Sequence, residues 1–163
     1  MLLANFATLA TALFTGAAVY ISLVEHPARL QCPTAHAVEQ WRPSYKRATV
    51  TQASLPVAGS LLAVAAWLVG PGLIWLLAGL VLGSVVPFTL IVMWPTNKRL
   101  EDSGLDASSE VARSLLARWG RLHDVRSGLR LVAVVLMLFA PAQCAGSLYA
   151  QGQSEGALVS KSR

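Results

Sequence analysis

Long stretches without a charged side chain constrain this chain more than any other feature. Residues 2–24, 48–97 and 131–154 contain no Asp, Glu, Lys or Arg. Apolar runs of this kind suit helices that cross a bilayer, each needing roughly 20 residues. The middle run is long enough for two such helices, and Gly70-Pro71-Gly72 divides it. The pattern predicts four spans, at 2–24, 49–69, 73–94 and 128–149. Composition agrees: 13% of residues are charged and 55% hydrophobic, whereas soluble domains carry about a quarter charged residues.

Short turns make neighbouring spans antiparallel, so the expected fold is all-α, an up-down bundle of four transmembrane helices. One domain, 1–150, precedes a polar tail, 151–163, whose Gly- and Ser-rich sequence QGQSEGALVSKSR predicts disorder. The first span lacks a basic leader and exceeds a signal peptide's apolar region, so it reads as a retained helix.

Charge placement orients the bundle. The net charge is +5, and of thirteen Lys and Arg ten lie in segments 25–48 and 95–127. The positive-inside rule puts those two loops in the cytoplasm and both termini on the opposite side. The basic residues then serve orientation and lipid contact, with no nucleic acid implied. In the second cytoplasmic loop, Val111, Leu115, Trp119, Leu122 and Arg126 share a helical face. This predicts an amphipathic helix near 107–122, capped by Asp106 or Ser108, that lies on the membrane, runs into the fourth span or docks a partner.

Polar and aromatic groups gather where the spans meet these loops. Glu25-His26-Pro27 ends the first span, and Trp41-Arg42-Pro43-Ser44-Tyr45-Lys46-Arg47 precedes the second. Asn97 follows the third, and Trp119, His123 and Arg126 line one stripe at i, i+4 and i+7 before the fourth. Singly, each has an anchoring explanation: tryptophan favours the interface and arginine snorkels. Anchoring accounts for Arg121 and Arg130. All four spans, however, place these groups at one end of the bundle, and ionisable residues at such depth are candidates for function.

The chemistry they can carry is limited. No Cys-x-x-Cys, nucleophilic-serine or glycine-rich nucleotide motif is present. His26 and His123 leave a metal or haem open as an alternative, but no His-x-x-x-His or Glu-x-x-His pair supports one. What remains is histidine as a general base beside arginine and asparagine as oxyanion stabilisers, a set suited to removing a proton from an acidic carbon.

These same pieces resemble the anthrone oxygenase-like family of small four-helix membrane proteins, many from fungal aromatic polyketide pathways. The resemblance rests on Glu25-His26-Pro27, Trp41-Arg42-Pro43-Ser44-Tyr45, Pro95-Thr96-Asn97-Lys98-Arg99-Leu100 and Trp119-x-x-x-His123-x-x-Arg126, in that order relative to the spans, and covers roughly residues 5–145. It implies a monooxygenase of secondary metabolism that turns an anthrone into an anthraquinone with O2 and no cofactor. On that reading His123 removes the proton and His26 relays it or holds a phenol. Arg126 and Asn97 stabilise the enolate, and Trp41, Tyr45 and Trp119 stack on the planar substrate, with Glu25 and Arg42 completing the binding set. The competing class is a non-enzymatic membrane assembly factor or small-molecule binder.

Overall fold

The computed structural model describes residues 2–70 and 72–161, with side chains from 2–49, 54–70 and 72–140. Its backbone forms four helices: α1 Leu2–Gln31, α2 Thr34–Val69, α3 Leu73–Glu101 and α4 Glu110–Lys161. No strand occurs among the described residues. Each helix packs chiefly on its neighbours in sequence, and α4 closes the ring against α1, while α2 and α4 touch only lightly across the diagonal. Helices α1, α2 and α3 are long and apolar enough to cross a membrane. Their outer faces carry Leu9, Leu13, Leu61, Leu68, Leu80 and Ile91, all exposed, an apolar surface suited to lipid. The chain is an integral membrane protein. Helix α4 takes in the expected fourth span, 128–149; the side chains of 141–149, and those of the expected disordered tail 151–163, lie outside the described residues.

The segments 25–48 and 95–127, expected as loops, are mostly helix. Their polar residues alternate with apolar ones at helical spacing, so Ala37, Val38 and Trp41 on α2 and Ala112, Leu115, Leu116 and Trp119 on α4 all turn inward. With Met93 and Leu100 they form a core beyond the one built on Ala63, Ala78, Leu82, Ala133 and Met137. The true breaks are short. Pro33 forces Cys32 into an extended conformation (ψ 159°) and ends α1. The amphipathic helix expected near 107–122 is the opening stretch of α4, and Ser109 rather than Asp106 or Ser108 caps it, its Oγ accepting the Ala112 N–H at 3.2 Å. Of its apolar face, Leu115 and Trp119 enter this second core and Leu122 packs against it, whereas Val111 is exposed.

Prolines shape the helices where they leave the spans. A proline ring crowds the carbonyl four residues earlier and withholds its own N–H. Two residues before Pro27, α1 ends a wider π-helical stretch, Ile21–Glu25, in which the His26 N–H reaches the Ile21 carbonyl. Helix α3 repeats the device: a π-helical stretch, Phe88–Met93, ends two residues before Pro95, with Trp94 N–H on the Thr89 carbonyl. Such bulges occur often at functional sites, and here both touch the second core, through Ile21 and through Phe88 and Met93.

Candidate functional site

At Trp119, a member of the second core, side chains from three helices meet. The His123 ring stacks on it with centroids 4.8 Å apart and planes 16° apart. His26 of α1 also meets it, 5.1 Å away and tilted by 55°. Trp41 of α2 meets it edge-on at 5.8 Å, and Tyr45 in turn stacks on Trp41 at 4.7 Å and 8°. Both imidazoles are therefore at one end of the bundle and inside it, with His123 only 1% exposed and His26 6%. Gly120 makes the close approach possible, because a Cβ there would lie 2.6 Å from His26 Cδ2 and closer still to Nε2.

Each imidazole is paired with the arginine three residues on. Arg126 Nη2 donates to His123 Nδ1 at 2.8 Å, and Arg29 Nη1 donates to His26 Nδ1 at 3.3 Å. An arginine has no acceptor, so both Nδ1 atoms are unprotonated in these bonds. His123 Nε2–H then donates to the Ala18 carbonyl at 3.3 Å. Burial, followed by the charges of Arg126 and Arg130, pushes the His123 pKa from its ordinary 6.5 down to about 3. The residue is thus a neutral imidazole throughout the physiological range.

The two pairs sit differently. Arg29 is also bonded to Gln40 and ion-paired with Glu25, so a network spanning α1 and α2 ties it down. Sequence reasoning missed Arg29 and Gln40. The repeated His-x-x-Arg spacing, His26 to Arg29 and His123 to Arg126, was the available signal for the arginine. His123 and Arg126 both line a cavity of about 700 Å³ that extends between α2 and α3, whereas of the first pair Arg29 reaches its wall and His26 does not. Trp41, Tyr45 and Trp119 line its polar end; Pro56, Val57, Val85 and Leu90 make the rest largely aliphatic. Val57 and Leu90 are also exposed on the outer surface, so the cavity reaches the side of the bundle. Trp41 Nε1 and Trp119 Nε1 are buried N–H donors with no acceptor among the described residues.

Of the other expected site residues, Glu25 lines the cavity, whereas Asn97 and Arg42 stand behind it. Asn97 Nδ2 donates to the Tyr45 hydroxyl at 3.1 Å and so fixes a residue that does line the wall. Arg42 donates to the Leu100 and Asp102 carbonyls at 2.9 and 2.7 Å, satisfying the end of α3. Arg130, expected to anchor the helix at the surface, is instead completely buried against Phe14. It lies on the inward stripe that runs Trp119, His123, Arg126, Arg130.

The fold and the cavity define a class: a small helical membrane protein with an aromatic-walled, histidine- and arginine-lined chamber of small-molecule size. Comparison with known proteins narrows it. The model of the anthrone oxygenase family matches residues 41–136, a range that holds every cavity-lining aromatic together with His123 and Arg126. The anthrone oxygenase AgnL2 of Paecilomyces divaricatus is 30% identical over 145 residues, covering 75% of this chain and 84% of that protein. The anthrone oxygenase tpcL of Aspergillus fumigatus is 42% identical over 72 residues, 42% of this chain and under half (45%) of the relative. No solved structure matches. The chain belongs to the anthrone oxygenase family.

Proposed function

We propose that the protein oxidises an anthrone-like polycyclic aromatic to a quinone with molecular oxygen, with His123 as the base. The observation that carries this reading is the placement of a neutral imidazole and its arginine on the wall of an aromatic-lined cavity. The cavity volume lies within the range of small-molecule sites, and the stacked Trp41–Tyr45 face suits a flat ring system. The two buried indole N–H groups supply donors for ring oxygens. Relatives named anthrone oxygenases support the substrate class.

The hydrogen bond between Arg126 and His123 Nδ1 gives the chemistry an order. While Arg126 donates to Nδ1, that nitrogen is a poor proton acceptor. A substrate carbonyl oxygen in the cavity offers Arg126 a stronger acceptor, and moving the guanidinium onto it frees Nδ1. His123 then takes a methylene proton, and the negative charge spreads to the oxygen that Arg126 now holds. The carbanion adds to O2, forming a C–O bond, and His123 returns its proton to the outer peroxide oxygen. Loss of the second methylene proton with cleavage of the O–O bond expels water and leaves the new carbonyl. Overall CH2 plus O2 gives C=O plus H2O, so the substrate itself supplies the electrons. Tyr45, held by Asn97, and Trp41 keep the ring in register.

A cofactor-free reaction is the reading preferred here, because Nδ1 of His26 and Nδ1 of His123 are each taken up by a separate arginine. Substrate from the lipid phase enters between α2 and α3, where Val57 and Leu90 border the cavity. The test is oxygen-dependent anthrone oxidation by membranes carrying His123→Ala or His123→Gln, with metal analysis and a visible spectrum of the purified protein. Loss of about 10²-fold or more in both variants is expected. Near-normal turnover in both removes His123 as base, and a stoichiometric metal or haem band removes the cofactor-free route.

A further inference from the structure

Arg130 is a cation that the proposed reaction does not use. It lies one helical turn beyond Arg126 on the same face of α4 and is 0% exposed. Its Nε, Nη1 and Nη2 have no hydrogen-bond partner among the described residues. One face of the guanidinium lies 3.8 Å over the Phe14 ring, which leaves the edge, where all its N–H groups point, without a protein acceptor. Helix α1 opposite offers little: residues 2–24 hold no carboxylate, and the Thr11 and Thr15 hydroxyls donate to their own helix. Ser127 is engaged with Ser22 at 3.3 Å.

This arrangement is costly unless a negative group joins it. Burying an unpaired charge outweighs what one cation–π contact returns. Arginine does not escape by losing its proton, and Arg126 at i−4 adds like-charge repulsion. Two guanidinium groups one turn apart on one inward face are a recurrent way to hold an anion.

We propose that Arg126 and Arg130 form a receptor for a small monovalent anion between α1 and α4. At rest a halide has the right size and charge. During turnover, if the oxidation above is correct, the outer oxygen of the carbon-bound peroxide formed beside Arg126 carries the same single negative charge. Arg130 then stabilises the oxygen-derived anion while Arg126 holds the ring oxygen.

The binding arm of the test does not depend on anthrone turnover. Thermal unfolding of the purified full chain in detergent is followed as sodium chloride replaces sodium gluconate at constant ionic strength. The wild type is expected to gain a saturable rise in midpoint that Arg130→Met lacks, while Arg130→Met in gluconate is no less stable than wild type. Arg130→Lys, which keeps the charge, retains part of the rise. No saturable rise in the wild type, or the same rise in Arg130→Met, overturns the proposal. The second arm distinguishes the sources. Chloride inhibition competitive with oxygen, and an oxygen KM raised roughly tenfold in Arg130→Met, assign the oxygen-derived anion. A chloride rise with an unchanged oxygen KM assigns a halide site.

Discussion

His26–Arg29 and His123–Arg126 share a spacing, a hydrogen bond and a neighbour in Trp119, yet their surroundings give them different capacities. Around Arg29 the charges are settled: Glu25 pairs with it and Gln40 holds its Nε. His26 is wedged against Gly120 and does not line the cavity. Around Arg126 the nearby charge is another cation, Arg130, and both members of the pair face the chamber. On the proposed mechanism the same motif serves in one place as a fixed support and in the other as a movable contact. A histidine–arginine pair becomes a candidate for catalysis when its arginine has somewhere better to go.

Exchanging the arginines breaks this comparison most sharply. Arg126→Gln is expected to lower oxidation by about 10²-fold or more, since it removes the group that holds the developing oxyanion. Arg29→Gln should cost activity only severalfold while destabilising the fold by about 1–3 kcal/mol, because the partly exposed Glu25 loses its buried partner. Turnover and thermal unfolding measured on both variants decide the matter. Equal losses of activity would make the two pairs equivalent and remove the distinction.

Gly120→Ala probes the support side alone. The added Cβ overlaps His26, and overpacking of this kind costs about 1–3 kcal/mol. The expected result is a lower unfolding midpoint with a smaller effect on turnover than Arg126→Gln. An unchanged midpoint would mean that His26 is not held where the structure places it.

Near neutral pH the smallest effect is electrostatic, and it grows as the pH falls. Burial and then Arg126 and Arg130 keep folded His123 unprotonated down to about 3, against 6.5 ordinarily. As pH falls from 6.5 towards 3 the unfolded chain binds a proton there that the native chain does not, so native stability declines across that window and is level above it. Unfolding measured against pH should show this decline in the wild type, and His123→Gln should flatten it. The same slope in both would place the titration elsewhere.

Much of the bundle was legible in the sequence because charge-free runs have few other uses. The spans at 2–24, 49–69 and 73–94 all lie inside helices. The connecting segments were harder: the spacing of Leu115, Trp119 and Leu122 showed a helix in the second, but in the first the polar residues resemble loop and Trp41 is the main sign of a buried face. Trp119, His123 and Arg126 could be read as one stripe from spacing alone, and they do share the cavity wall. Continuing that stripe reaches Arg130, whose position at the start of an apolar run made it look like a surface anchor. Arg29 was obscured by Pro27 and Pro33, which suggest a turn. The π-helical stretch before Pro27 and the extended Cys32 let α1 run on far enough to carry Arg29 inward. Asn97 and Arg42 stood in the right neighbourhood, but spacing cannot tell a wall from what holds it up.

The central claim is that His123 removes a proton from carbon before oxygen takes part. It is tested most directly by deuterium uptake into the anthrone methylene, without oxygen, in membranes containing the protein. The account predicts faster uptake with wild type and His26→Gln than with empty membranes, and no acceleration with His123→Gln. Acceleration that survives in His123→Gln, or its absence in the wild type, would contradict it.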